Sequence, residues 1–359
     1  MKIGLVGLSG SGKTSLFNLL TGASAPTSSF GGPRGETHLG IARVPDERVG
    51  RLSALFTPKK TTYASFEVVD LAGISKGDRQ GLEARDFRSA DALLHVVRAF
   101  PDAAGAAPTP AADIDDLEVE LILADLEVVE RRLERLEASI KKRRMDADVK
   151  EQEILRRLAP ALGAETPLRA VALSDEEEKA IRGFTFLSQK PILHVLNVAE
   201  KDIALGPSGV ERFGLAAVAA RPHTRVGWVS AVIEAEVAQL AGEEQAAFLT
   251  DLGLAEPAIK RVLRDCYDLL GLISFFTVGE DEVRAWPIAR GTRAQDAAGT
   301  IHSDIGRGFI RAEVVSYPDL VAAEGEMAVA RERGQFRLEG KEYAVQDGEI
   351  CHFRFNVGK

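Results

Sequence analysis

The sequence is poor in residues that cross-link, stack or span. Only two cysteines, Cys266 and Cys351, occur in 359 residues, which excludes a disulfide framework and a paired-cysteine metal site. Six histidines are scattered without a His-Glu-x-x-His spacing, so zinc hydrolysis has no ligand set. A Gly-x-Ser-x-Gly elbow is also missing, which removes the usual serine hydrolase. No apolar run approaches the ~20 residues that a membrane helix needs. The opening residues Met1 to Gly7 are too soon interrupted by glycine and serine to read as a secretory signal. These absences together predict a cytoplasmic protein with no membrane partner. An excess of positive charge is lacking too. The net charge of −9 argues against a surface that grips nucleic acid everywhere. One basic run, Lys141, Lys142, Arg143 and Arg144, sits in a charged helical stretch and reads as a solvated face.

What is present is an ordinary globular composition, 45% hydrophobic and 28% charged, long enough for two or three domains. Lys2–Val6 reads as a buried strand and Lys13–Thr21 as the helix after it, with further apolar strands at 66–70 and 92–97. Strand, turn, helix, strand predicts an α/β fold with a parallel sheet. Residues 23–36, rich in Gly, Ser, Thr and Pro, read as a loop, and 101–110 as a linker. Next, Val119, Ile122, Leu126, Val129, Leu133, Leu136 and Ile140 recur at spacings of three and four. That stripe predicts a helix which a second helix over 150–162 folds back upon, although one amphipathic helix docked on a core would give the same pattern. Sheet character returns at 190–197 and 225–230, with helices over 233–240 and 258–270. From 273 the chain becomes strand-rich around one helix at 294–302, with alternating runs at 309–315, 335–338 and 351–355. The predicted boundaries are a nucleotide-binding domain at 1–110 and 185–272, a helical insertion at 111–184 and a small α+β domain at 273–359.

The chemistry concentrates at Gly7-Leu8-Ser9-Gly10-Ser11-Gly12-Lys13-Thr14, a P-loop pattern followed by Ser15. Its glycines let successive backbone N–H groups of Ser9 to Ser15 converge on phosphate. Lys13 supplies a point charge to the β and γ phosphates, and the Thr14 hydroxyl can ligate magnesium. The helix that follows adds its positive end. Asp70-Leu71-Ala72-Gly73 closes the 66–70 strand; Asp70 there can hold the magnesium while Gly73 lets an N–H approach the γ phosphate. Ile74 occupies the place where Ras-type proteins carry a water-orienting Gln, so slow hydrolysis is expected. Asn197-Val198-Ala199-Glu200 follows the strand at 192–196, where GTPases read guanine through Asn-Lys-x-Asp. Glu200 carries an extra methylene and Val198 replaces the Lys, which relaxes guanine selection. Ser230 and Ala231 are candidates for the loop that closes over the base. His95 and His194 lie inside apolar strands and read as packed core histidines. Trp286 and Phe309 sit in alternating strands and read as core rather than RNA-stacking residues.

Taken together these residues resemble the Obg-like ATPase family of the YchF type. The likeness is most specific at Asp251-Leu252-Gly253-Leu254, Glu282-Val283-Arg284-Ala285-Trp286, Ala297 to Asp304, and Gly308 to Ala312. It implies a Ras-like P-loop domain, a coiled-coil insertion and a C-terminal TGS domain of β-grasp type. It also implies ATP in preference to GTP through Asn197 and Glu200, with Val198 against the adenine, and association with the ribosome. Three departures mark a divergent member. Ser9 and Gly10 stand where the family has Pro-Asn, which argues against potassium activation. The segment after Gly73 is short. The family's magnesium-reaching Thr has Thr37 as its nearest counterpart. Three functions follow: a slow ATPase switch, a GTPase of the same fold, or an interaction protein that keeps nucleotide only to hold its domains together. In each, Lys13→Ala is expected to abolish nucleotide affinity and leave the fold intact.

Overall fold

The computed structural model describes residues 1–24, 38–70, 85–205 and 208–356. The chain divides into two compact units, Met1–Ile41 with Glu67–Leu269, and Ala42–Phe66 with Leu270–Lys359.

The first unit is built on a six-stranded sheet in the order β2 (His38–Arg43), β4 (Ser65–Asp70), β1 (Lys2–Val6), β5 (Ala92–Ala99), β6 (Ile192–Val198) and β7 (Thr224–Val229). β1 pairs in parallel with both β4 and β5, and β5–β6–β7 continue in parallel. The central strands are near-continuous apolar runs, as strands covered on both faces must be. Ile3, Leu5, Val6, Leu93, Leu94, Leu193, Val195 and Leu196 are each at most 1% exposed. β1 lies where the order of strands reverses, so the loop after it opens into the crevice where α/β sheets bind ligands.

The heptad stripe belongs to helix α3 (Pro110–Lys142), which α4 (Asp146–Gly163) folds back upon. From Ile122 to Ile140 the stripe packs in the hairpin cluster, and a different set of residues docks the start of the helix on the sheet. Leu117, Leu121 and Ala124 pack on the sheet with Val6 and Leu93. Farther along, Val129 and Leu136 pack against Leu155, Leu158 and Leu162 of α4, with Leu133 and Ile140 beside them. At the changeover Asp125 is fully buried and accepts hydrogen bonds from the backbone N–H groups of Leu187 (2.9 Å) and Ser188 (2.7 Å). Burial pushes its carboxyl pKa up, against the pull of these donors and Arg88. Nearby the buried Glu118 pairs with Arg169.

The second unit holds the other six-stranded sheet, in the order β11 (Arg337–Glu339), β10 (Phe309–Ser316), β12 (Glu349–Phe355), β8 (Leu272–Thr277), β9 (Glu282–Ala289) and β3 (Lys60–Thr62). β8 and β9 form an antiparallel pair, and β12 runs parallel to β8. The helix at Ala294–Ile301 lays Ala294, Ala297 and Ala298 on Ile273, Phe275, Val314 and Phe353, a β-grasp arrangement. Trp286 and Phe309 pack against this core as expected. The Trp286 ring stacks on Phe275 and its Nε1 donates to Thr277 Oγ1 at 3.0 Å.

One boundary differs from the sequence reading. Residues 42–66 belong to the second unit, not to the nucleotide domain. The cause is long-range pairing: β3 lies parallel to β9, with Lys60 opposite Glu282 and Thr62 opposite Arg284. Arg48, in the helix Glu47–Phe56, adds ion pairs to Asp46 and Asp347, both at 2.8 Å.

Candidate functional site

The chain leaves β1 through Gly7 and enters helix α1 (Lys13–Thr21) through a tight loop in which Ser11 N donates to Leu8 O at 3.2 Å. Gly10 and Gly12 have φ of 78° and 89°, the left-handed region that glycine enters without strain. Space is as restrictive as conformation. A Cβ on Gly12 would lie 2.2 Å from Asn197 Nδ2, and one on Gly7 would lie 2.6 Å from the Val96 carbonyl oxygen. Among the described residues no side chain caps α1, which leaves its first backbone N–H groups and its positive end for an anion.

Below this end three side chains converge. Lys13 Nζ lies 2.9 Å from Asp70 Oδ1, and Thr14 Oγ1 donates to Asp70 Oδ2 at 3.3 Å. Asp70, the last residue of β4, is 3% exposed. A carboxylate taken out of water needs compensation; here a cation and a hydroxyl supply it. Ser9 and Gly10 are exposed at the rim, Ser15 is half-buried, and the buried Ser11 hydroxyl has no protein partner among the described residues. Thr37, Gly73 and Ile74 lie outside the described residues.

On the base side, Asn197 ends β6 as a bridge. Its Nδ2 donates to Ser11 O and its Oδ1 accepts from Ala231 N, both at 3.0 Å. It thereby ties the P-loop to the turn entering the helix Ala231–Val237. The sequence signal found Asn197 but not this role, because the partners lie 186 and 34 residues away. Ser230 is fully buried and its hydroxyl has no partner among the described residues, and Glu200 is exposed at the start of the turn Glu200–Leu205. Val198 is 4% exposed and packs among Val97, Ile114, Leu196 and Leu215. Its side chain packs in this cluster, and a fully buried strand shows no alternation from which its facing could be read.

Glu234 carried no sequence signal. It is 1% exposed and accepts from Ala258 N (2.7 Å) and Ile259 N (3.2 Å), fixing the start of the helix Ala258–Leu269. His95 and His194 face each other across β5 and β6, Nδ1 to Nδ1 at 3.0 Å. Burial drives the His95 pKa down to about 3 and that of His194 well below its usual value, so both are neutral. Burial pushes both cysteine thiols up, which leaves them unreactive. Among the described residues no cluster of His, Cys, Asp and Glu could hold a metal by itself, and no helix is long and apolar enough to cross a membrane.

Residues 2–131 match the family described as 50S ribosome-binding GTPase. Residues 272–356 match the YchF-GTPase_C family, described as a protein of unknown function. Over 99% of its length the chain is 44% identical to the ribosome-binding ATPase YchF of Bacillus subtilis, and 41% identical to that of Haemophilus ducreyi, covering 99% of each. The fold superposes on the YchF GTPase of Schizosaccharomyces pombe with a TM-score of 0.84 at 28% identity, covering 99% of this chain and 97% of that one. A P-loop domain carrying a helical hairpin, a C-terminal β-grasp unit and this full-length identity place the chain in the YchF family of P-loop nucleotide-binding proteins.

Proposed function

We propose that this protein is a cytoplasmic, magnesium-dependent purine-nucleotide switch that prefers ATP to GTP, hydrolyses it slowly and associates with the ribosome. The observation that carries the reading is the meeting of Lys13, Thr14 and Asp70 beneath the uncapped end of α1. Neighbouring oxygens in an octahedral magnesium shell lie about 3 Å apart. The Thr14 and Asp70 oxygens, 3.3 Å apart, fit that spacing. Magnesium, when bound, supplies charge that neutralises the phosphates. Thr14 and Asp70 would hold the magnesium, and Lys13 would offer its charge to the β and γ phosphate oxygens. The backbone N–H groups from Ser9 to Ser15 surround the phosphates. Gly73 and Thr37, the sequence candidates for a γ-phosphate N–H and a further magnesium ligand, would complete the set.

The base is read by the second Nδ2 hydrogen of Asn197, by Val198, by the Ser230–Ala231 turn and by Glu200. Glu200 reaches farther than the aspartate of guanine-specific proteins, which favours adenine. Slow turnover follows from Ile74, an apolar side chain that cannot orient water. Both bacterial relatives are named ribosome-binding ATPases, which supports the ATP preference and the ribosome as partner. The Schizosaccharomyces pombe relative is named a GTPase, and this favours a second reading in which Glu200 still selects guanine. Calorimetric titration with ATP and with GTP, each with magnesium, decides between them. Tighter ATP binding is expected; tighter GTP binding would transfer the assignment, and binding of neither would leave a scaffold with an idle P-loop.

A further inference from the structure

The unpaired cations of the helical hairpin are concentrated at its tip. Down its length most arginines are neutralised, Arg131 by Glu127 on its own helix, Arg132 by Glu151, Arg156 by Glu137 and Arg157 by Glu177, while Arg135 and Lys150 are exposed without an ion-pair partner among the described residues. At the tip, Lys141, Lys142, Arg143 and Arg144 are all exposed, and among the described residues none has an ion-pair partner. A helix C-terminus favours cations in its last turn, but by only a few tenths of a kcal/mol and only within that turn. α3 ends at Lys142, so this effect accounts for the two lysines and not for the two arginines beyond them. Two carboxylates share the tip. Asp148 is engaged by the Ser139 hydroxyl at 3.0 Å, and Asp146 lies in the first turn of α4. The excess of positive charge stays local in a chain whose net charge is −9.

Position and surroundings narrow the partner. The buried Asp125 marks where α3 leaves the sheet, and the seventeen residues from there to Lys142 extend about 26 Å at the rise of an α-helix. The cations thus stand at a narrow projecting end. Protein–protein interfaces gather aromatic and apolar side chains at their centre. The tip offers one exposed large apolar side chain, Met145, and no aromatic. The tip also has no aromatic side chain on which unpaired bases could stack. What remains is charge presented to a closely spaced row of anions, with arginine forks suited to bidentate contact with phosphate oxygens.

We infer that the hairpin tip binds the phosphate backbone of RNA, without regard to sequence, through Lys141, Lys142, Arg143 and Arg144. This rests on the ribosome reading above and names the part of the molecule that would touch ribosomal RNA. The test uses the full-length protein and a fluorescein-labelled RNA duplex of about 20 base pairs, with anisotropy read between about 50 and 200 mM salt. Four phosphate contacts give a slope of log affinity against log salt near −3, a loss of about 60- to 150-fold over that range. The quadruple Lys141→Gln, Lys142→Gln, Arg143→Gln, Arg144→Gln variant is expected to lose about three units of that slope with its helical circular dichroism unchanged. Arg143→Lys with Arg144→Lys keeps the charge and is expected to keep the slope. An unchanged slope in the quadruple variant overturns the inference, and so does wild-type protein that fails to bind the duplex. Displacement by polyglutamate as effective as by unlabelled RNA overturns it in favour of an acidic protein surface. ATP affinity, measured on the same preparations, separates the two proposals: intact ATP binding with no RNA binding sinks only this one.

Discussion

Lys13→Ala tests the site and the fold together. A side chain that only pointed at a ligand could be removed without cost to the fold, as the sequence suggests. The structure gives a different expectation, because Lys13 is the cation paired with a carboxylate that is 3% exposed. Removing one partner of a buried pair leaves an uncompensated charge, typically about 3–5 kcal/mol. The Lys13 and Asp70 side chains are 10% and 4% exposed, and Thr14 still donates to Asp70, so the low end, about 3 kcal/mol, applies. Neutralising the orphan as well, in Lys13→Ala with Asp70→Asn, should restore most of that loss and give a coupling energy of about 2 kcal/mol. Urea denaturation in nucleotide-free buffer measures all four corners of the cycle. Calorimetry on the same proteins should find ATP affinity lost in both variants that lack Lys13. A single variant within about 0.5 kcal/mol of wild type would show that water compensates Asp70 and would refute the argument from burial.

Further outcomes are open to test. Asn197→Ala breaks two buried hydrogen bonds and strands Ser11 O and Ala231 N, so it should cost about 2–4 kcal/mol in urea denaturation and weaken nucleotide binding. Gly12→Ala meets both a left-handed φ and the Asn197 amide. ATP affinity should fall at least tenfold by calorimetry, and unchanged affinity would mean that the loop adopts another conformation in solution. Glu200→Asp should raise the GTP-to-ATP affinity ratio, and an unchanged ratio would place Glu200 away from the base. His95 and His194 are held neutral, with folded pKa values below the usual 6.5. Stability is therefore complete above that pH and falls with acidification as the unfolded chain takes up protons. Each histidine should withdraw about 1.4 kcal/mol between pH 7.5 and 5.5, and His95→Leu with His194→Leu should flatten that slope in urea titrations.

Local signals carried much of this architecture. The strand Lys2–Val6 and the helix Lys13–Thr21 have the bounds that apolar runs and glycine punctuation predict. The hairpin followed from a spacing of three and four, although α4 begins at Asp146, four residues before the expected 150. That start is announced by acidic residues that suit a helix N-terminus, with Val149 as its one half-buried apolar side chain before the expected 150. The glycines, Lys13, Thr14 and Asp70 were legible because each is required by type at its position. Asn197 was legible as a residue but not as a bridge. Residues 42–66 were misassigned because their affiliation is set by β9, a partner 220 residues away at Thr62 and Glu282. No local pattern encodes such a pairing.

That separation also orders events during synthesis. At about 5–20 residues per second, roughly 10–40 s pass between the emergence of β3 and that of the strand it pairs with. Throughout that interval the segment Ala42–Phe66 is tethered at both ends to a unit whose own strands β1, β4 and β5 are already made. Its exposed Lys59 and Lys60, which later meet Asp281 and Glu282, are charges of the kind that keep a waiting strand edge from pairing with another chain. The β-grasp unit is in this sense written first and closed last. A nascent chain that stalls before residue 282 should therefore carry a folded nucleotide domain with an unpaired strand beside it.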